Sequence, residues 1–219
     1  MHLRKALLAA AAVVAAGLMG ITPAANAGVE FINYVHVNGN TSGVHAISGT
    51  YSGGTASFGG GTYTCFDGGF TGDATAGAVP PGGHLDFTSL DIVCATPLGI
   101  NQTITIDSGC ADFDPIASAT VTDGKTDTAV PGEVVLGTDC GTLNYASCTA
   151  HVDGDVEATY NEATQQLILN GSGFALSDQS IGCLGLISGN VGLNGITFDV
   201  DDSAGGIDFR TTPDAPDLT

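Results

Sequence analysis

Three groups of acids are the residues most able to do chemistry. Asp153-Gly154-Asp155-Val156-Glu157 spaces its carboxylates two apart, so an extended strand puts Asp153, Asp155 and Glu157 on one face. Asp199-Val200-Asp201-Asp202, with Asp208 beyond a Gly-Gly pair, is a second group, and Asp112-Phe113-Asp114 a third. Calcium takes roughly six to eight oxygen ligands, largely carboxylate and carbonyl, and crowded Asp in Gly-containing segments supplies them. Asp153, Asp155 and Glu157, or Asp199, Asp201 and Asp202, are therefore the candidate calcium ligands; no other cofactor is implied. No D-x-[DN]-x-[DN]-G loop closing on a Glu is present, and a solvated acidic face is the plainer account of the same residues.

Hydrolysis is the other chemistry that acids perform. A glycosidase sets two carboxyl groups roughly 5–10 Å apart around the scissile bond. The glutamates are Glu30, Glu133, Glu157 and Glu162, Trp is absent as a sugar platform, and spacing alone selects no pair. A serine nucleophile needs a His base oriented by a carboxylate. His36, His45, His84 and His151 are available, but no G-x-S-x-G elbow is. The nearest segment, Gly54-Thr55-Ala56-Ser57-Phe58-Gly59, has one residue too many. No catalytic residue is assigned; His151 and Asp153 are where a hydrolase reading would be tested first.

The compartment follows from the first residues. His2-Leu3-Arg4-Lys5 is a short basic start, Ala6 to Met19 is apolar and uncharged, and Ala25-Asn26-Ala27 fits a small-x-small cleavage site. Pro23 and Asn26 end the run short of the roughly 20 apolar residues that a spanning helix needs. Residues 1–27 therefore read as a signal peptide. The mature chain, beginning near Gly28, is expected to be secreted and to lack a transmembrane segment. All six cysteines follow the leader: Cys65, Cys94, Cys110, Cys140, Cys148 and Cys183. An even number in an exported chain reads as disulfides. Zinc is the poorer account, because no C-x2-4-C pair exists.

Charge removes several functions. Without the leader, Lys125 and Arg210 stand against 23 acids, a formal charge of about −21. Both cations read as loop or tail positions. Phosphate neutralisation needs clustered cations, so nucleic acid is excluded as a partner. An anionic membrane surface is excluded for the same reason. No Gly-rich phosphate loop ending in Lys is present. Self-repulsion favours solubility, and divalent cations could bridge the chain to other acidic surfaces.

The elements that must position these residues read as strands. Phe31 to Val37, Leu85 to Val93, Thr103 to Asp107 and Gln166 to Asn170 are β-rich, and Thr103 to Asp107 alternates cleanly. One slip in the alternation of Leu85 to Val93 predicts a bulge. Gly59-Gly60-Gly61, Pro80-Pro81-Gly82-Gly83, Asp123-Gly124 and Asn170-Gly171 read as turns. Outside the leader no segment sustains a 3.6-residue period. Two segments share an order: a Cys (Cys65 or Cys148), a Gly-Asp pair six or seven residues on, a second Cys (Cys94 or Cys183), and a strand containing Ile-Thr. Six cysteines allow about fifteen pairings. This repeat, over 60–109 and 144–202, selects Cys65 with Cys94 and Cys148 with Cys183, leaving Cys110 with Cys140. Each loop would then contribute roughly 3 to 4 kcal/mol in the chain-entropy account.

These features together resemble the small exported, Cys-paired β proteins of actinobacteria and, more distantly, the secreted alkane-oxidation activator family. The shared residues are Thr64-Cys65 to Cys94 and Ser147-Cys148 to Cys183. The resemblance implies surface association and carries no catalytic residue. Cys110, Cys140 and the acidity depart from it.

The expectation is an all-β fold, a disulfide-stapled β-sandwich over 28–210 that is built in one form from two similar repeats, with a flexible tail at 211–219. The expected function is non-enzymatic interaction at a cell surface or in an extracellular matrix, with an unknown surface or matrix component as partner. Its rivals are a soluble calcium-dependent ligand-binding or inhibitor domain and a secreted hydrolase.

Overall fold

Thr, Val, Ile and Phe alternating with small polar residues, and almost no Lys or Glu to populate surface helices, favour long strands. The computed structural model describes Ile32, 34–78, 85–116, Val121, Gly124, 126–183, 189–202 and 206–211. Its strands are β1 (Tyr34–Val37), β2 (Gly43–Phe58), β3 (Gly61–Ala78), β4 (Leu85–Ala95), β5 (Asn101–Ile106), β6 (Ala111–Pro115), β7 (Val130–Tyr145), β8 (Cys148–Asn161), β9 (Gln166–Ser177), β10 (Asn190–Val200) and β11 (Ile207–Arg210). One 3-10 turn, Ile181–Cys183, is the only helical element among the described residues. None of those residues forms a helix long and apolar enough to cross a membrane. The leader, the Pro80–Gly83 turn, His84, Asp123, Lys125 and the tail from 212 onward lie outside the described residues.

The sheet is a barrel, which corrects the sandwich expectation while keeping the all-β class. Eight strands close on themselves in the order β3-β2-β10-β9-β8-β7-β5-β4, and β4 returns to β3. That last ladder runs from Thr64↔Ala95 to Ala74↔Leu85. Alternation cannot distinguish the two architectures, because one buried face looks the same in both. Bulges do: each adds local twist and bends the sheet toward closure. The slip expected in β4 is real, with Thr71-Gly72 set against Phe87 and Ser89. Asn170-Gly171 is likewise no turn. It lies within β9, where the registers with β8 and β10 shift, and Gly171 supplies the φ of 118° needed there.

Between β4 and β7 the barrel uses a broken strand. β5 pairs with Leu90–Ala95 and Gly141–Tyr145, and β6 continues the same slot against Leu85–Phe87 and Gly132–Leu136. The break at 107–110 faces the irregular stretch 137–140 of β7. Cys110–Cys140 ties the two irregularities together, beside the bonds Asp107 N to Cys140 O and Gly137 N to Cys110 O. Cys65–Cys94 crosslinks directly opposed residues of β3 and β4, with Cα atoms 3.7 Å apart. Cys148–Cys183 ties the start of β8 to the 3-10 turn. The pairing is sequential throughout.

Inward residues are mostly apolar, Gln102 being an exception, and outward ones mostly polar, the reverse of a lipid-facing barrel. Phe70 meets Phe87 and Phe198 edge-on, at centroid distances of 5.1 and 5.7 Å, and Leu90, Ile92, Leu143, Val152 and Leu169 fill the interior around them. β1 and β11 lie outside the ring, paired along Tyr34↔Arg210 to Val37↔Ile207. They cover one end: the Phe209 ring lies 6.2 Å from Phe113 and 5.6 Å from Tyr160. Arg210 is thus a strand residue with 0% exposure, not the loop or tail position expected of it, and Thr211 at the start of the expected tail is buried.

Two predictions follow from this architecture. Removing the middle crosslink (Cys110→Ser with Cys140→Ser) should lower denaturant stability by roughly 3 to 4 kcal/mol. Exchange of the Asp107 and Gly137 amides should accelerate more than that of amides in β9; uniform acceleration would mean that the bond does not stitch the break. Trypsin should not cut after Arg210 in the native protein. Release of 211–219 at the rate of an unstructured peptide, read by mass spectrometry, would contradict its burial.

Candidate functional site

The two sets of candidate calcium ligands lie on different parts of the barrel surface. Asp153, Asp155 and Glu157 do share the outer face of β8, as their spacing predicts. Asp153 accepts the Ser177 hydroxyl at 3.1 Å, whereas Asp155 and Glu157 border a small depression with Gly171–Gly173. Asp199 is occupied by Ser52 at 3.1 Å and Gln166 at 2.7 Å, while Asp201 and Asp202 lie beyond the end of β10. Among the described residues no three His, Cys, Asp or Glu side chains converge on one cation position. The acids instead form rows across strands, Asp73–Asp86–Asp112 and Asp114–Glu133–Glu157, in which each faces the next in register. Directly opposed like charges repel. Asp112 shows this: burial first, then the neighbouring Asp86, raises its carboxyl above the ordinary range.

The hydrolytic candidates do not assemble either. Ser177 lies opposite His151 in the β8–β9 ladder, yet its hydroxyl is given to Asp153. His151 Nδ1 lies 3.7 Å from Asp139 instead. Glu133 and Glu157 stand on the open outer face, and Glu162 is 1% exposed, out of reach of any substrate.

Glu162 belongs to a buried polar network under the β1–β11 cover. Its Oε1 accepts the Phe209 amide, and its carboxyl group also bonds the Asp127 side chain. Gln165 accepts from Tyr160 at 2.7 Å and from the Ile207 amide at 2.7 Å, and it donates to the carbonyls of Glu162 and Ile207. Arg210 Nε donates to Asp208 at 2.7 Å, with both side chains essentially unexposed. Burial, reinforced by the carboxylates of Asp208 and Asp127 and opposed by the Phe209 amide, pushes the Glu162 carboxyl up to about 9. It is therefore neutral at pH 7. Burial likewise raises the Tyr160 hydroxyl. The network fastens the end cover and offers no accessible reactive atom.

A concavity of about 600 Å³ lies on the outside of the barrel, across β2, β3, β4 and β5. Asp67-Gly68-Gly69 forms its centre. Gly69 stands between Thr50 of β2 and Asp91 of β4, so the middle of an array of side chains has none. A Cβ at Gly69 would come 2.8 Å from the Gly49 carbonyl. Around this gap stand Thr50, Asp67, Thr71, Ser89 and Asp91. Thr71 Oγ1 is hydrogen-bonded to Thr88 at 2.9 Å and to Ser89 at 2.8 Å, which fixes these hydroxyls relative to one another. Asp67 Oδ1 accepts the Gly68 amide at 2.8 Å. Phe66, on the bulge beside Asp67, is 54% exposed.

Sequence reasoning missed this groove. Asp67-Gly68-Gly69 registers there only as part of a repeat, and Asp91 belongs to no cluster along the chain. No protein family, curated protein or solved structure matches the chain.

Glu162 gives a signed prediction. Its proton is held more tightly in the native state than at the usual carboxylate value of 4.5. Its contribution to stability is therefore complete below about pH 4.5 and is lost as pH rises toward 9. Glu162→Gln keeps the acceptor for the Phe209 amide without the ionisation. Its melting temperature should match the parent near pH 4 and exceed it increasingly up to pH 9. Parallel curves would show that Glu162 is not the buried acid described.

Proposed function

We propose that this chain is a secreted, non-enzymatic interaction protein that acts at a cell surface or in the extracellular matrix. The observation that carries the reading is the filled interior. Phe87, Leu90, Ile92 and Phe198 have no exposed surface, so small-molecule chemistry has no lumen to occupy. Binding falls to the polar outer face. The Ser177 hydroxyl is engaged by Asp153, His151 Nδ1 lies 3.7 Å from Asp139, and Glu162 is buried, an arrangement that favours binding over hydrolysis. Three disulfides in so small a domain, and an export leader in the sequence, support an oxidising location. Calcium remains a candidate bridge between the acidic rows and other acidic surfaces, not a catalytic ion.

Fractionation of a native culture tests the reading. The mature chain should be recovered with the cell envelope or in large assemblies, and purified protein should rebind washed cells saturably. A monomer found wholly in the medium that does not rebind cells, with or without millimolar calcium, would overturn it.

A further inference from the structure

We infer that the groove across β2–β5 binds a neutral polyhydroxylated chain, a segment of an oligo- or polysaccharide, with Asp67 and Asp91 accepting hydrogen bonds from its hydroxyl groups. The inference rests on the proposed role in surface interaction and supplies the class of partner.

Four observations point to that ligand. The first is shape. The groove is open to solvent and crosses four strands, so it suits the side of a chain better than a closed terminal pocket would. Its floor is glycine, which lets a ligand approach the backbone closely. The second is chemistry. Thr50, Thr71 and Ser89 both donate and accept hydrogen bonds, whereas Asp67 and Asp91 only accept. Sugar hydroxyls do both, and adjacent ones can share one carboxylate. The third is order. The Thr71–Thr88–Ser89 contacts fix these hydroxyls before a ligand arrives, which reduces the cost of ordering them on binding. The fourth is charge. A chain with 23 acids and four Lys and Arg repels anionic polymers. Among the described residues neither Asp67 nor Asp91 is in an ion pair, and the described cation Arg210 is buried at the barrel end. Among the described residues an anionic group meets no counter-charge here, and neither acid belongs to a group of three or more side chains able to hold a metal ion. Phe66 adds an exposed apolar ring at the Asp67 end, the kind of surface on which the C–H face of a pyranose packs.

The test uses the mature protein with its disulfides intact. Cello-, malto-, manno- and chito-hexaose are titrated while backbone amide shifts are followed, with spermidine and calcium chloride as separate arms. At least one neutral hexasaccharide should shift amides within 48–50, 67–71 and 89–93 saturably. Asp91→Ala should weaken that binding about tenfold, as expected for a hydrogen bond to a charged group. Thr71→Val should weaken it less. Ser172→Ala, in the separate β8–β9 depression, should leave it unchanged, and all three variants should melt as the parent does. Failure of every hexasaccharide, shifts confined to other strands, or full binding by Asp91→Ala would overturn the inference. A response to spermidine or calcium alone would also overturn it and make the groove a cation site. Rebinding to native cells separates the two claims. If Asp91→Ala adheres as the parent does, the groove assignment fails and the surface role stands; if neither adheres, the surface role fails.

Discussion

The ladder between β3 and β4 is the constraint on which the molecule depends. It turns an open sheet into a ring and removes the two edges that such a sheet would expose. Ten residues of β3 within Thr64–Ala74 stand directly opposite partners in β4, and Cys65–Cys94 crosslinks one end covalently. Without the seam, Phe70 would lose the edge-on contact with Phe87, and the interior would open along its length. The groove depends on it as well, because Gly69 and Asp91 face each other across this ladder. Fold and proposed binding surface are therefore consequences of one set of main-chain hydrogen bonds.

The remaining devices repair what closure costs. A barrel needs local bends, and the chain places glycine where its bulges occur. It also needs continuous hydrogen bonding between β4 and β7, which it achieves with two short strands and a disulfide across their break. The end under β1 and β11 buries polar groups that water would otherwise satisfy, so Gln165 bridges the Tyr160 hydroxyl, the Ile207 amide and two carbonyls. The Asp208–Arg210 pair and neutral Glu162 sit there at a desolvation cost.

Much of this was legible locally and little of it globally. Alternation in Leu85–Val93 and Thr103–Asp107 gave the strands and even the β4 bulge, because side-chain period reports burial of one face directly. The repeat of Cys65-to-Cys94 and Cys148-to-Cys183 spacing matched the observed crosslinks, since each pair staples a meander of neighbouring strands. Barrel and sandwich were not separable, because closure is a property of pairing between β3 and β4, which leaves no mark on either strand's own pattern. Asn170-Gly171 read as a turn because a bulge and a tight turn ask for the same positive φ. Arg210 read as exposed because a charge this close to the C-terminus is usually solvated, and only the neighbouring strand shows its burial. Asp67 and Asp91 lie 24 positions apart and become neighbours only through the seam.

The most direct test of this account is residue-resolved amide exchange along β3 and β4. The closed barrel predicts that amides on both edges of both strands are protected as strongly as those of β8 and β9. Fast exchange at every second residue of β3 or β4, the signature of a free edge, would contradict closure. It would dismantle the filled interior and the β2–β5 groove together.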